Sequence, residues 1–314
     1  MYIICDKIIL VIHMKLTPLS IILIPTLVIS LLSMIPINRS YSKDVEIWMS
    51  KVNDDTRLID MSIPGTHDSG ATHSIFDVAG KCQDLNIKEQ LNVGTRFFDL
   101  RLQLVKEEFR IIHGPVDQNL KFKSVLKDLT NFVKEYNSEF IIISIKQESS
   151  SKDNTRSFED VLFDNLKEYE DVISFSKELP QTVKEARGKI HIISRHNLDF
   201  GYPAYFGFED DTSFILNDLY VQDNYNIPNV EEKIEDIKST IDISNSSSND
   251  KLVINFTSCY LDPYFPPSYA GTAALSINPW FMEYINKNSD YKLGIVVSDF
   301  MTKELAESIY RRNY

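Results

Sequence analysis

The chain has 314 residues, of which 43% are hydrophobic and 25% are charged. These fractions are typical of a globular protein with a sizeable core, and they exclude a disordered or collagen-like chain. The 45 acidic side chains outnumber the 33 basic ones and give a formal charge of −12, which argues against binding to nucleic acid and against adsorption to anionic membranes through bulk charge.

The first forty residues differ in composition from the rest of the chain. Their net charge is +2, and their only charged residues are Asp6, Lys7, Lys15 and Arg39. Since the whole chain carries −12, residues 41–314 carry −14. Between the last two basic residues lies an apolar run, Leu16 to Ile37, which is long enough to span a bilayer. Residues 1–40 are therefore predicted to be a signal peptide or an N-terminal membrane anchor of an exported protein, ahead of a single domain over residues 41–314.

Short strand-like segments alternate with amphipathic helical ones from residue 57 onwards. The predicted strands are Arg57–Ile63, Thr95–Val105, Phe109–His113, Phe140–Lys146, Lys189–Ser194, Leu252–Thr257 and Lys292–Asp299. The predicted helices are Lys121–Tyr136, Thr155–Tyr169, Val230–Ile241, Asn278–Asn288 and Thr302–Arg312. The polar run Ser244–Asp250 reads as a surface loop, and Ser258–Ser276 reads as a long loop without regular structure.

Repeated strand–helix units without an internal linker predict an α/β fold, a TIM-type (β/α) barrel. A doubly wound open sheet is the alternative, but no GxGxxG motif or P-loop follows any predicted strand. The three cysteines show no CxxC or Cys/His ligand spacing, so no structural zinc site is expected. A disulfide between Cys82 and Cys259 is left open, because a sequence gives no distance between them.

Polar side chains cluster where predicted strands end, and the strand ends of a parallel barrel share one face. These residues are His67, Asp68, Asp99, Arg101, His113 and Asp299. Two histidines, several acids and an arginine are the groups that an acid/base phosphoryl-transfer site with a fixed cation needs. The other histidines have no such setting: His13 lies in the N-terminal apolar segment, and His73, His191 and His196 are expected to be structural.

Three motifs in chain order carry a family resemblance: SIPGTHDSG from Ser62, RFFDLRL from Arg96 and IIHGP from Ile111. Together with later matching segments up to Val297-Ser298-Asp299-Phe300, they resemble the bacterial-type phosphatidylinositol-specific phospholipase C family over residues 45–312. The resemblance implies a TIM-type barrel that is often imperfectly closed. It also implies cleavage of phosphatidylinositol, or of a glycosylated inositol lipid, into diacylglycerol and a 1,2-cyclic inositol phosphate.

The same resemblance implies a role for each clustered residue. His67 would be the general base for the inositol 2-hydroxyl, with Asp299 holding its ring. His113 would be the general acid for the leaving diacylglycerol oxygen, with Asp68 as its partner. The remaining two residues are a phosphate-neutralising arginine and a supporting acid, Arg101 and Asp99. The residues that match the headgroup-binding positions are Lys146, Arg195, Asp223 and Tyr225.

The resemblance also bears on metal, membrane and partners. Eukaryotic-type phospholipases C place a metal-binding acid where this chain has Arg101, so metal-independent activity without a cofactor is predicted. Membrane contact is expected through two apolar segments, namely Ile75, Phe76 and Val78 and the loop Tyr260–Tyr269 with Tyr264 and Phe265. The protein is expected to be a monomer at a membrane surface. A phosphodiesterase for another lipid headgroup and a catalytically silent lipid-binding relative are the alternatives.

Overall fold

The computed structural model describes residues 45–73, 80–205, 208, 210–261 and 270–314. Its strands are β1 Ser62–Thr66, β2 Phe97–Val105, β3 Glu108–His113, β4 Val116–Lys121, β5 Ile141–Gln147, β6 Ile173–Ser174, β7 Ile190–Ser194, β8 Tyr202–Pro203, β9 Ser213–Leu216, β10 Leu219–Gln222, β11 Asn226–Ile227, β12 Leu252–Phe256, β13 Tyr260–Leu261 and β14 Gly294–Ser298. Its α-helices are α1 Ile87–Asn92, α2 Phe122–Glu135, α3 Phe158–Lys167, α4 Val183–Ala186, α5 Val230–Asn245, α6 Ala270–Lys287 and α7 Lys303–Tyr310. Short 3₁₀ helices are Met49–Lys51, Leu58–Asp60 and Arg311–Asn313.

Parallel pairing in the order β7-β5-β2-β1-β14-β12-β10 forms the barrel wall. β3 and β4 extend β2 as an antiparallel hairpin, and β9 pairs antiparallel with β10. Within the described part of the chain, no ladder joins β10 to β7, so the wall has one open seam. The fold is therefore the predicted α/β TIM-type barrel with incomplete closure.

Successive side chains of β2 point alternately to the hydrophobic core and to the inside of the barrel. Phe98, Leu100 and Leu102 are fully buried and belong to the same apolar cluster as the buried face of α2. Because successive strand residues point to opposite faces, Asp99 and Arg101 point the other way, into the barrel. The register pairs Arg101 with Lys146 on β5, which brings both cations to one level of the wall.

Two predicted elements differ from the structure at their starts. The predicted strand Arg57–Ile63 begins with the 3₁₀ turn Leu58–Asp60, where the Arg57 side chain binds Asp60, and the strand itself begins at Ser62. The predicted helix from Asn278 begins already at Ala270 and continues through Pro279. Proline removes the hydrogen bond to the carbonyl four residues earlier. Here that residue is Leu275, which is 79% exposed, so water can satisfy its carbonyl.

The long-loop prediction for Ser258–Ser276 is wrong at both ends, since Tyr260–Leu261 is a strand and α6 begins at Ala270. The strand β10, Leu219–Gln222, was not predicted, because it is only four residues long. The proposed membrane contacts lie outside the described residues: Ile75, Phe76, Val78, Tyr264, Phe265 and Tyr269.

Cys82 and Cys259 are both buried free thiols, so the disulfide left open by the sequence is not formed. Residues Asp44–Tyr314 group into one compact unit by their internal contacts. The predicted targeting segment 1–40 lies outside the described residues, and its role stays a prediction. No helix of the described part is both long enough and apolar enough to cross a membrane.

Candidate active site

His67 directly follows β1, at the carboxyl end of the strand. Its backbone N–H donates to the carbonyl of Ser298 on β14 at 3.1 Å, which fixes the start of the loop. Two residues earlier, a Cβ on Gly65 would lie 2.9 Å from Phe97 Cδ1 and 3.2 Å from the carbonyl oxygen of Val296. Only glycine allows this close packing of β1 between its neighbours, and that packing places His67 beside β14.

The His67 ring lies between a carboxylate and a guanidinium. Its Nδ1 atom is 2.8 Å from Asp299 Oδ1, and its Nε2 atom is 2.9 Å from Arg101 Nη2. Arginine has only donors, so Nε2 accepts a hydrogen bond from Arg101 and carries no hydrogen in this arrangement. The ring is then neutral, with Nδ1–H donating to Asp299. This is the tautomer that a general base acting through Nε2 requires.

The charges around His67 favour the opposite protonation state. Burial lowers the pKa of His67, but the carboxylates of Asp299 and Asp68 outweigh it and raise the pKa to about 9. A ring with that pKa would be protonated at neutral pH, whereas the 2.9 Å contact with Arg101 leaves room for one hydrogen only. A guanidinium keeps its hydrogens at any accessible pH, so the His67 ring that accepts a hydrogen bond from Arg101 is neutral.

Arg101 projects from β2 into a group of carboxylates. Its Nε donates to Asp99 Oδ2 at 3.1 Å and lies 3.2 Å from Asp68 Oδ2, while Nη1 lies 3.8 Å from Glu148. Burial raises the pKa of Asp99, but Arg101 and Arg195 outweigh it and hold that pKa below its usual range. The guanidinium is thus fixed by Asp99, and two of its nitrogens remain directed at His67 and Glu148.

His113 lies in the site, but it is not carried there by a strand of the barrel wall. It ends β3, which is antiparallel to β2 and not a strand of the barrel wall, so the inference that it sits at a matching strand end is corrected. β2 extends past the wall, and the hairpin returns His113 to the level of the site. There its Nε2 lies 3.6 Å from Asp68 Oδ2, and its Nδ1 lies 4.0 Å from the Sγ atom of Cys82.

Asp68 connects the two histidines through one oxygen. Its Oδ2 atom lies 3.4 Å from His67 Nε2 and 3.6 Å from His113 Nε2. This oxygen is buried and has no hydrogen-bond partner among the described residues. Burial raises the pKa of Asp68. The backbone of Asp68 has a φ of 41°, in the left-handed region that residues other than glycine rarely adopt, and such strain is concentrated at functional sites.

The proposed headgroup residues Arg195 and Asp223 meet across the open seam of the barrel. Arg195 follows β7 and Asp223 follows β10, and their closest atoms, Nη2 and Oδ2, are 3.9 Å apart. The Arg195 guanidinium stacks on Phe208, with 3.6 Å between Cζ and the ring centroid. Both side chains are almost fully buried, yet Arg195 Nε and Nη1 and Asp223 Oδ2 have no hydrogen-bond partner in the described part of the chain. Polar atoms left in this state are suited to a polar ligand.

Lys146 and Tyr225 lie toward the outside of this group. Lys146 Nζ is 2.8 Å from Asp210 and 3.1 Å from Glu148, so it is held by two carboxylates. The Tyr225 ring lies 5.7 Å from that of Tyr260, at 40°, and burial raises the pKa of Tyr225 to about 12. Tyr225 therefore stays a neutral phenol that presents a ring face and a hydroxyl.

Four of the six predicted catalytic residues, His67, Arg101, His113 and Asp299, line one cavity of about 340 Å³. The other two, Asp68 and Asp99, lie against Arg101 at 3.2 Å and 3.1 Å. Its lining residues are His67, Cys82, Arg101, His113, Gly114, Glu148, Tyr225, Cys259, Tyr260, Ala270 and Asp299. A larger groove of about 560 Å³ lies beside α5, but its acidic lining would repel a phosphate. The cavity therefore is the candidate active site.

Among the side chains of this region that the sequence reasoning missed are Cys82, Glu148 and Asp210. Glu148 lies just beyond β5 in the Lys-Gln-Glu segment, so its position after a strand end was the available signal. Cys82 and Asp210 lie in irregular segments with no strand next to them, and nothing in the sequence indicated their position.

His67, Asp68 and Asp99 are close enough to offer ligands to one metal ion, with their donor atoms within 4.8 Å of one another. Arg101 donates to His67 and Asp99 and lies 3.2 Å from Asp68, so its guanidinium already stands among these donors. A divalent cation there would have to displace a fixed positive charge. These three residues do not fit a metal while Arg101 is in place.

Comparison with known proteins gives a match that includes these site residues. Residues 61–196, which include the two histidines and Arg101, match the family model described as phosphatidylinositol-specific phospholipase C, X domain. A 1-phosphatidylinositol phosphodiesterase of Listeria monocytogenes is 29% identical over 280 residues, which cover 85% of this chain and 84% of that protein. A protein of the same name from Staphylococcus aureus is 29% identical over 287 residues, covering 83% and 90%.

Solved structures agree with these relatives over nearly the whole described fold. A mutant of the phosphatidylinositol-specific phospholipase C from Staphylococcus aureus has a TM-score of 0.74 at 25% identity, covering 86% of this chain and 99% of that chain. The enzyme of the same name from Listeria monocytogenes has a TM-score of 0.69 at 24% identity, covering 85% and 98%, and shows the same fold. Residues 61–196 thus match the phosphatidylinositol-specific phospholipase C X-domain family, and the described fold is similar to that of solved enzymes of this name.

Proposed function

We propose that this protein is a phosphatidylinositol-specific phospholipase C, which cleaves the glycerol–phosphate ester by attack of the inositol 2-hydroxyl. The observation that carries the proposal is the Oδ2 atom of Asp68, which lies 3.4 Å from His67 and 3.6 Å from His113. Two histidines on one carboxylate oxygen, with a guanidinium beside them, can remove a proton and deliver another on either side of one phosphate. The products would be diacylglycerol and 1,2-cyclic inositol phosphate.

His67 is the base in this mechanism. Nε2 takes the proton of the inositol 2-hydroxyl, and Asp299, 2.8 Å from Nδ1, holds the ring and stabilises the imidazolium that forms. The hydroxyl oxygen then attacks the adjacent phosphorus. Arg101 neutralises the charge that builds on a non-bridging oxygen, and Asp99 fixes the guanidinium for that purpose.

His113 is the acid in this mechanism. It gives its proton to the departing diacylglycerol oxygen, and Asp68 stabilises the protonated ring before the transfer. His113 is 30% exposed in its side chain, the most open of the proposed catalytic groups, which suits a residue that meets the leaving lipid at the mouth of the cavity.

The inositol ring is proposed to bind at the open seam. Arg195 and Asp223 carry buried polar atoms without partners, which can bond ring hydroxyls, and Lys146 adds a donor. The ring of Tyr225, at the cavity wall, can pack on the apolar face of the inositol. A headgroup without these hydroxyls, such as choline, would leave the buried groups unpaired, and we therefore favour inositol over other headgroups.

The reaction is proposed to need no metal ion, since Arg101 supplies the positive charge at the phosphate. Turnover of phosphatidylinositol should be unchanged in excess chelator. Activity that is lost in chelator and restored by calcium would contradict this role for Arg101.

Phosphorus NMR on phosphatidylinositol incubated with residues 41–314 tests the proposed function. A cyclic phosphodiester signal is expected with the unchanged protein and should be absent with His67→Ala. His73→Ala is the matched control, because His73 is exposed and lies outside the cavity, and it should retain the signal. Cleavage of phosphatidylcholine in place of phosphatidylinositol would favour another headgroup. Lipid binding without any cleavage would favour a silent member of the family.

The protein is also proposed to be exported and to work in contact with a membrane. The apolar run Leu16 to Ile37 supports an exported enzyme, either secreted after removal of a signal peptide or held at a membrane by the uncleaved segment. The substrate is a lipid, so the protein must work at a membrane surface, and we propose that it does so as a monomer. Its substrates would include glycosylated inositol lipids where the larger headgroup fits the open seam.

A further inference from the structure

The thiol of Cys82 lies in the wall of the candidate active site, and the proposed reaction does not use it. Cys82 is fully buried in the fold and lines the same cavity as the two histidines. Its Sγ atom is 4.0 Å from His113 Nδ1. A thiol, an imidazole and a carboxylate in one small space are the donors that zinc and related cations prefer.

The distances among these donors are close to those of a metal site. One ligand atom each from Asp68, Cys82 and His113 lies within 4.8 Å of the other two. Around a tetrahedral zinc ion, sulfur–nitrogen and nitrogen–oxygen separations are about 3.4–3.6 Å, from bond lengths of about 2.0–2.3 Å. Cys82 lies 4.0 Å from Nδ1 of His113, whereas Asp68 lies 3.6 Å from Nε2, so a cation shared by all three needs a rotation of the His113 side chain together with a closing movement.

Asp68 supplies the buried carboxylate of this group. It is 2% exposed, and its Oδ2 atom has no hydrogen-bond partner among the described residues, although Arg101 Nε lies 3.2 Å away and both histidines face it. Negative charge is also in excess there, since six carboxylates of the described site face three cationic side chains. The carboxylates are those of Asp68, Asp99, Glu148, Asp210, Asp223 and Asp299, and the cations are those of Arg101, Lys146 and Arg195.

We infer that Asp68, Cys82 and His113 form a site for a thiophilic divalent cation such as Zn²⁺, and that the bound cation inhibits the enzyme. The cation would bond to the Cys82 sulfur, one ring nitrogen of His113 and a carboxylate oxygen of Asp68, with water as a fourth ligand. The proton of the thiol leaves for solvent as the metal–sulfur bond forms. The inhibition rests on the proposed function, because it removes the acid His113 and its partner from the reaction.

The surroundings set the conditions under which the site fills. Burial raises the pKa of the Cys82 thiol well above its usual value, with Asp299 and Asp68 adding to the rise. The metal–sulfur bond therefore forms only with loss of that proton. Hard cations such as Mg²⁺ prefer oxygen ligands and should not compete for a thiolate.

Cobalt provides a readout that does not depend on activity. Titration of residues 41–314 with Co²⁺ should give a thiolate-to-cobalt absorption band at one equivalent, and Zn²⁺ should remove it. Cys82→Ser should lose the band and weaken Zn²⁺ binding by more than about tenfold in calorimetry. Cys259→Ser is the matched control, since Cys259 is also a buried free thiol of the cavity wall, and it should keep the band. A band that survives in Cys82→Ser, or is absent from the unchanged protein, would overturn the site.

The unchanged protein allows the same test without any substitution. Zn²⁺ should protect Cys82 from alkylation, located by peptide mapping, and Mg²⁺ should not. In the activity assay, Zn²⁺ should inhibit the unchanged enzyme reversibly, and it should inhibit Cys82→Ser little relative to the rate of that variant without Zn²⁺. Zinc binding through Cys82 without inhibition would overturn the inhibitory role. A protein that binds Co²⁺ through Cys82 but never cleaves phosphatidylinositol would instead refute the proposed function.

Discussion

The Nε2 atom of His67 is the atom on which the proposed chemistry depends, and Arg101 donates a hydrogen bond to it at 2.9 Å. A phosphate bound by Arg101 would accept that hydrogen in its place and leave the lone pair of Nε2 free for the inositol hydroxyl. Base and cation are thus paired with each other before the substrate arrives. The pKa of His67 reports the balance between burial and Arg101, which lower it, and Asp299 and Asp68, which raise it.

Asp299→Asn should lower turnover by about 10³–10⁴-fold, because the amide no longer holds the tautomer with Nε2 free. The same change should move the acid limb of the pH profile of kcat/KM to lower pH. The sign follows from charge, since Asp299 raises the pKa of His67 by stabilising the imidazolium, and its removal lowers that pKa. Steady-state rates between pH 5 and 10 provide the measurement. An acid limb that moves upward would contradict the pairing of His67 with Asp299.

Arg101→Met should raise the pKa of His67, because the guanidinium charge lowers that pKa in the folded protein. Turnover should fall at the same time, since the phosphate loses its cation. A histidine NMR titration of the free protein gives the pKa directly. Arg101→Lys is the control: it keeps the charge and should hold the pKa closer to that of the unchanged protein, yet it should not restore turnover, because lysine lacks the fork of donors. A falling pKa in Arg101→Met would show that the contact with Nε2 is not formed.

The sequence predicted the side chains that directly follow strands of the barrel wall, such as His67 and Asp299, because the ends of these strands share one face of the barrel. His113 was predicted by the same argument, but it ends a strand of the hairpin and reaches the site through the antiparallel pairing of β3 with β2. Cys82 could not be placed in the same way, since it lies in an irregular segment whose path depends on tertiary contacts. The roles of the predicted residues stay proposals, while their meeting in one cavity is a feature of the structure.

The hairpin β3–β4 shows that a strand pattern in the sequence does not determine the strand with which a segment pairs. The segment Phe109–His113 was predicted as a strand, and it is one, but the sequence did not show that it pairs back on β2. Antiparallel and parallel strands have similar patterns of apolar residues, so the pattern does not show the direction of pairing. The direction is set by the tight turn at Lys106 and Glu107, both of which have a positive φ. The hairpin is what makes His113 a neighbour of Asp68.

Helix α5 contains a buried lysine, which is a second feature that the sequence pattern did not show. Lys233 is fully buried, and its Nζ donates to Gln222 Oε1 at 2.9 Å and to the carbonyl of Asn224. These residues flank Asp223, and Gln222 in turn donates to Asn255 on β12 at 2.8 Å. Burial lowers the pKa of Lys233, and no carboxylate forms an ion pair with it within the described residues. The lysine therefore fixes the turn after β10 that carries Asp223 and Tyr225.

Lys233→Met keeps the length of the side chain and removes its donors, so it should lower the free energy of unfolding by about 1–3 kcal/mol. It should also raise KM for a soluble inositol phosphodiester more than it lowers kcat, because the turn with Asp223 loses its support. Urea unfolding and steady-state kinetics measure the two effects. Lys238→Met on the same helix is the control, since Lys238 pairs with Glu235 at the surface and its loss should matter little. A fall in kcat with an unchanged KM would rule out a headgroup-positioning role.

The fold class of the whole molecule, a barrel, could be predicted from the sequence, but the open seam in the barrel wall could not. The seam lies between the β7 side of the wall, which ends in the two-residue strands β6 and β8, and the β10 side, which ends in β9. β10 has only four residues, in the sequence Leu-Tyr-Val-Gln. So short a run gives no clear period, and closure depends on pairing between distant segments. Phe208 and the pair Arg195–Asp223 occupy the seam instead of a ladder, which makes the gap in the wall the place proposed for the headgroup.

The charge of the whole molecule leads to a prediction about membranes. Residues 41–314 carry −14, so an anionic bilayer should repel the protein at long range, although the lipid it is proposed to cleave is itself anionic. Turnover of a fixed fraction of phosphatidylinositol should therefore be slower in phosphatidylglycerol vesicles than in phosphatidylcholine vesicles at low salt. Charge repulsion is screened over about 8–10 Å at physiological salt, so added salt should reduce the difference. Sedimentation with the same vesicles separates binding from turnover. Tighter binding to phosphatidylglycerol at low salt would show that a local basic surface, and not the net charge, governs the approach to the membrane.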